Sequence, residues 1–147
     1  MLTREQALTT LTAYQDRLEE ACGQGPEAYR EAFSQPPGGV AAHEIDREMK
    51  ITRVNPAELG LLGYREDEML GQPAWQFIVM ESVSQRAIDK KLSGAVELKP
   101  FMRAFKRADG SAVTMLVLDR LIRDALGQVV GIRTVLTELD SSSEAQS

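Results

Sequence analysis

The sequence predicts an α+β domain: a five-stranded antiparallel sheet with helices on one face and an N-terminal helical arm. Three observations lead there. Asn55-Pro56 opens a short capped helix directly after a strand pair. From Leu98 onward the apolar pattern takes a period of two, broken twice by turn residues. Ahead of both, residues 3 to 22 carry apolar side chains at alternating spacings of four and three.

In that first stretch Thr3 is placed to cap a helix and Gln6 to complete a capping box. Ala7, Leu11, Tyr14 and Leu18, with Ala21, form one stripe, and Gly23 and Gly25 end the helix. The stripe spans only about two heptads, short of the three or four that mark a free coiled coil. It therefore predicts packing on the protein's own sheet, with dimerisation through the same helix added. Pro26 to Gln35 is a second short helix with Tyr29 and Phe33 on one face. Gln35-Pro36-Pro37-Gly38-Gly39 is a linker, so residues 1–39 read as a helical arm, 40–140 as the domain and 141–147 as a polar tail. No Gly-Lys-Ser/Thr follows the two glycines, which excludes a phosphate loop.

Val40 to Asp46 and Ile51 to Asn55 are the first two strands. Glu58, three residues past Asn55, is placed to reach back as the second half of a capping box. Gly63 ends that helix, and Glu66 to Leu70 makes one further turn before Gly71. After Pro73 comes an apolar turn, Trp75, Phe77 and Ile78, and then a helix to Leu92 capped by Ser82 or Ser84. Phe101 to Lys106, Ala112 to Ile122 and Gln128 to Thr137 are the remaining strands, with Asp109-Gly110 as a hairpin turn. Met115-Leu116-Val117-Leu118 is apolar at consecutive positions, so both faces of that strand need cover. The N-terminal stripe is the candidate for the second face.

At 147 residues with 43% hydrophobic and 27% charged content, the chain is long enough for one domain with a proper core. A net charge of −5 lacks the basic footprint that nucleic acid requires. No run approaches the roughly 18 apolar residues of a membrane span, and the N-terminus lacks a secretion signal. A single cysteine, Cys22, excludes an internal disulfide and fits a reducing cytoplasm.

Catalytic groups are sparse, and no enzymatic activity is expected. His43 and Glu44 are adjacent on a strand and point to opposite faces, so they cannot act as an acid–base pair. Neither HExxH nor G-x-S-x-G occurs, and no second His or Cys stands near His43 to hold a metal. The carboxylates at Glu19/Glu20 and Glu66 to Glu68 read as solvated helix faces.

Several of these signals occur together in one known family. Asp46 and Ile51, Val54-Asn55-Pro56-Ala57, Leu62-Gly63-Tyr64, Glu68-Met69-Leu70-Gly71, Asp109-Gly110-Ser111 and Gly127-Gln128-Val129-Val130-Gly131 stand in the order and spacing of a PAS domain, the sensory box of bacterial signal-transduction proteins. The chain resembles that family over roughly residues 40 to 140. It departs at Met49, where the family often has a turn glycine. The resemblance implies the same five-stranded architecture and a sensory role in pathways such as two-component systems. It implies too that Glu138-Leu139-Asp140, an approximate match to the family's Asp-Ile-Thr ending, makes Glu138 and Asp140 signal-relay candidates coupling the sheet to an output domain or partner protein.

Cofactors carried by PAS relatives test poorly on residue type. Flavin-cysteine relatives hold a reactive cysteine in a stretch that here, Gly71 to Val79, has none. Haem-binding relatives place a histidine on the longer helix, and Ser82 to Leu92 has none. No cofactor is expected, and His43 is expected to be structural or at the surface. The remaining site is an apolar pocket between sheet and helices, with Trp75, Phe77, Ile78, Ile88, Leu92, Phe101, Phe105 and Met115 as its candidate residues. The same eight would equally fill a solid core. The expectation is thus a cytoplasmic sensory and protein-interaction module, a homodimer. The alternatives are a small-ligand-binding or enzymatic α+β domain, favoured by convergent polar groups in the cavity, and a ligand-free dimerisation adapter.

Overall fold

The computed structural model describes residues 2–139. Five strands form one antiparallel sheet: β1 (Ala41–Asp46), β2 (Ile51–Val54), β3 (Phe101–Lys106), β4 (Ala112–Arg123) and β5 (Val129–Glu138). Their order is β2-β1-β5-β4-β3, so the first and last strands in sequence are neighbours at the centre. Helices α3 (Pro56–Leu62), α4 (Glu66–Met69) and α5 (Glu81–Leu92) follow β2 and pack on one face. Helices α1 (Arg4–Gln24) and α2 (Pro26–Ser34) cover the other.

The arm is held by its stripe. Ala7, Leu11, Tyr14 and Leu18 are fully buried against Ala42, Leu116, Leu118 and Val135 of the sheet. Burial of each leucine removes its side chain from water, worth about 2 kcal/mol apiece. The capping box forms as the spacing predicts: Thr3 Oγ1 accepts from Gln6 N at 3.2 Å and Gln6 Oε1 from Thr3 N at 3.0 Å. Tyr14 Oη donates to the carbonyls of Phe33 and Ala32 at 2.9 and 3.1 Å, closing the end of α2 onto α1. Burial pushes the Tyr14 phenol up to about 12.

Polar groups complete this second layer. Gln15, fully buried, donates from Nε2 to the carbonyls of Leu118 and Arg133, both at 3.0 Å. Its Oε1 accepts from Arg133 Nε at 2.6 Å. Tyr29 Oη bonds the Glu44 carboxylate, and Arg53 lies 5.2 Å above the Tyr29 ring. Glu44 therefore faces the arm while His43 faces α3, as strand alternation requires.

At the other end of the sheet, Leu116 and Leu118 point to the arm, and Met115 and Val117 to α3–α5. All four are buried, which accounts for the unbroken apolar run. The β1–β2 turn solves the problem of its missing glycine locally. Met49 itself takes φ 67°, at a cost of about 1 kcal/mol. Asp46 Oδ1 holds the loop by accepting from Glu48 N at 2.8 Å and Lys50 N at 3.1 Å.

Two caps differ from the sequence reading. Asn55 caps α3, accepting from Glu58 N at 3.0 Å, but the Glu58 side chain turns to His43 instead of closing the box. A buried imidazole is a better partner for that carboxylate than one more backbone amide, since Ala42 O already accepts from Asn55 N at 2.9 Å. Helix α5 begins at Glu81, two residues earlier than a Ser82 cap and four earlier than a Ser84 cap would allow, because Val79 N is tied to Ala104 O at 3.0 Å. Ser84 is thereby carried into the helix and buried.

Candidate functional site

A polar row crosses the inner face of an otherwise apolar sheet. The register pairs His43 of β1 with Thr134 of β5, and Thr134 with Asp119 of β4. Residues on either side of this row, Ile45 and Ile132 above and Val117 and Leu136 below, are buried hydrophobics. Each polar member finds a partner, as burial demands. Thr134 Oγ1 donates to Asp119 Oδ1 at 2.6 Å, and Lys91 Nζ of α5 donates to Asp119 Oδ2 at 2.7 Å. His43 Nδ1 lies 2.8 and 3.0 Å from the two carboxylate oxygens of Glu58.

The electrostatics of His43 follow from that geometry. Burial pulls its pKa down, but the charge and hydrogen bond of Glu58, joined by Asp119 and Glu44, outweigh burial and hold it above the ordinary histidine value. When protonated, His43 is the positive half of a buried pair with Glu58 that joins β1 to α3.

Between this row and α5 lies a cavity of about 40 Å³. Ile78, Ile88, Phe101 and Phe105, four of the eight residues expected at a pocket, line it. Phe77, Leu92 and Met115 are buried in the same core, and Trp75 packs half-buried against it, without reaching the cavity. The wall is not purely apolar: His43, Ser84, Lys91, Arg103, Asp119 and Thr134 also face it. Sequence reasoning missed these six, because no local motif brings them together: His43, Thr134 and Asp119 meet through the β1–β5–β4 register, and Ser84 and Lys91 of α5 and Arg103 of β3 are packed against them. The Ser84 hydroxyl, on a residue only 1% exposed, has no hydrogen-bond partner among the described residues.

Of the relay candidates, Glu138 pairs with Arg107 Nη2 at 3.3 Å, and Asp140 lies outside the described residues. The next residue, Leu139, forms a bridge with Leu2, so the end of β5 and the start of α1 meet. Cys22 is exposed on α1, across the sheet from the cavity. Among the described residues no cluster of three metal-ligating side chains occurs, and no helix is long and apolar enough to cross a membrane.

A five-stranded antiparallel sheet carries short helices and a small cavity on one face, which defines the class of this α+β domain. Comparison with known proteins agrees with it. The PAS domain profile matches residues 39–140, most of the chain, and the chain belongs to the PAS domain family. PAS domains are generally sensory, non-enzymatic modules. Among solved structures, the PAS domain of an HTR-like protein from Haloarcula marismortui is 23% identical, with a TM-score of 0.63 over 87% of this chain and 99% of that one. A domain of a sensory box sensor histidine kinase/response regulator from Geobacter sulfurreducens is also 23% identical, with a TM-score of 0.61 over 76% and 92%. A LOV protein from Rhodobacter sphaeroides is 16% identical, with a TM-score of 0.62 over 91% and 71%. At these identities the likeness is one of fold. A comparison with curated proteins finds no match.

Proposed function

We propose that this chain is a cytoplasmic sensory and protein-interaction module of a signal-transduction pathway. A small molecule in the cavity would be read out by the N-terminal arm, to a partner protein or an output domain. The observation that carries this reading is the cavity's position on a sheet whose opposite face is the arm's docking surface. Strands β4 and β5 line the cavity through Val117, Asp119, Ile132 and Thr134, and hold α1 through Leu116, Leu118, Arg133 and Val135. A shift in strand packing on one side is felt on the other, provided that an occupant favours one arrangement over another.

A homodimer through the arm belongs to this proposal. Because the Ala7/Leu11/Tyr14/Leu18 stripe is buried on the chain's own sheet, the contact between copies falls to the helix's remaining surface, where Leu2 and Leu8 are partly exposed. Relay through Glu138 and Asp140 is proposed on the same grounds, since β5 ends beside the start of α1. Neither flavin-cysteine nor haem chemistry suits the cavity: its volume is far below the few hundred Å³ of a typical small-molecule site, and no cysteine lines it.

Filling the cavity tests the coupling without knowledge of the ligand. Ala87 lines it from α5, and Ala87→Leu adds three carbons there. Amide exchange in the variant is expected to change by about tenfold or more in α1 and at the end of β5, as well as in α5. A change confined to α5 and β3 would contradict readout through the arm.

A further inference from the structure

The charge around the cavity is unequal, and its imbalance has an address. The lining holds one carboxylate, Asp119, which is paired with Lys91 and Thr134. His43 is paired with Glu58 behind it. Arg103 has no ion pair or hydrogen bond among the described residues, and its guanidinium lies 5.1 Å from the centre of the Phe101 ring. Lys91 Nζ lies 3.9 Å from the centre of that same ring. The half-buried Phe101 therefore brings two cations together at the cavity wall, one of them without a counter-charge. A guanidinium in that position offers two parallel N–H donors, the geometry that a carboxylate accepts.

Inside, the second unmet group is the Ser84 hydroxyl. It lies on the face of α5 that also presents Ile88 and Lys91, one and two turns on. A water-sized group needs about 10–15 Å³ of such space, so 40 Å³ admits about three to four. The rest of the wall is Ile45, Ile78, Phe105, Val117 and Ile132.

We propose that the cavity binds a short-chain hydroxy-monocarboxylate. Its carboxylate meets Arg103 beside Phe101, and a tail of about four heavy atoms enters the cavity, where its hydroxyl pairs with Ser84. This deepens the sensory reading above and rests on it. The two unmet polar groups are supplied at once, one by charge and one by hydrogen bond. A dicarboxylate is excluded by Asp119, and a flat ring system by volume.

The probes are 3-hydroxybutyrate, butyrate and the neutral butanamide, titrated by calorimetry into the full chain. Wild type is expected to bind 3-hydroxybutyrate with a dissociation constant on the order of 0.1–1 mM, butyrate about tenfold more weakly, and butanamide more weakly still. Ser84→Ala is expected to melt at a higher temperature and to bind the two acids equally. Arg103→Gln is expected to lose about tenfold or more for both acids. Butanamide binding as tightly as butyrate in wild type, or no saturation by either acid at about 20 mM, overturns the proposal. The sensory reading fails separately: a co-purified molecule of other chemistry would leave it standing while removing the carboxylate.

Discussion

Gly131→Ala is expected to be the most damaging single methyl in this protein. Gly131 sits in β5 between Asp46 of β1 and Ile122 of β4. A Cβ added there would lie 2.1 Å from the carbonyl oxygen of Ile45 and 3.3 Å from its carbon. Neither is the yielding end of a side chain, so the backbone of β1 would have to retreat from the centre of the sheet. Strand β1 carries Ala41, His43 and Ile45 to the inner core and Ala42 to the outer one. Displacing it loosens both layers. A loss of about 3 kcal/mol or more is expected, read as a lower urea midpoint or as failure to accumulate folded protein. Gly127→Ala is the contrast: it carries only the cost of a positive φ of 80° in an exposed turn, about 1 kcal/mol.

The second large effect is at the buried ion pair. Glu58→Ala strands His43, which is 7% exposed, without its partner, and removing one partner of such a pair costs about 3 kcal/mol or more. The pH dependence has a definite sign. The folded-state pKa of His43 is raised, so the pair's contribution is fully present below the unfolded value of about 6.5. It declines as pH rises above that value and through the folded pKa. Urea unfolding should therefore show a wide gap between wild type and Glu58→Ala at pH 6, narrowing at pH 9. A gap of equal width at both would mean that the pair is not ionic. Glu58→Gln, which keeps an acceptor and drops the charge, should flatten the pH profile with a smaller loss.

Much of the fold is legible from local pattern. Thr3/Gln6, Asn55-Pro56 and Asp109-Gly110 act within a few residues, where capping and turn chemistry decide the outcome. The apolar run Met115 to Leu118 announced a sheet covered on both sides, because a strand alternates faces and both of these apolar faces must be kept from water. The candidate site was legible only in its apolar half. Ile78, Ile88, Phe101 and Phe105 stand out by hydrophobicity. Ser84 looked like a helix cap, since serine at a helix start is most often one; the tie between Val79 and Ala104 moved that start. Glu58 looked like half of a capping box, and its actual partner is fifteen residues upstream across the β1–β2 turn. Arg103 alternates with Phe101 and Phe105, and nothing local distinguishes a cation at a cavity wall from one in solvent. Gly131 read as the end of a family signature at the start of the last strand, whereas its role is a close approach between strands that only the register of β1 on β5 reveals.

Native mass spectrometry of freshly purified protein tests the central claim most directly. A sensory module with an occupied cavity should appear as a dimer carrying extra mass, and the Ala87→Leu variant should appear as the same dimer without it. A dimer at bare polypeptide mass in both would contradict ligand sensing and leave a filled-core adapter, with dimerisation as its function.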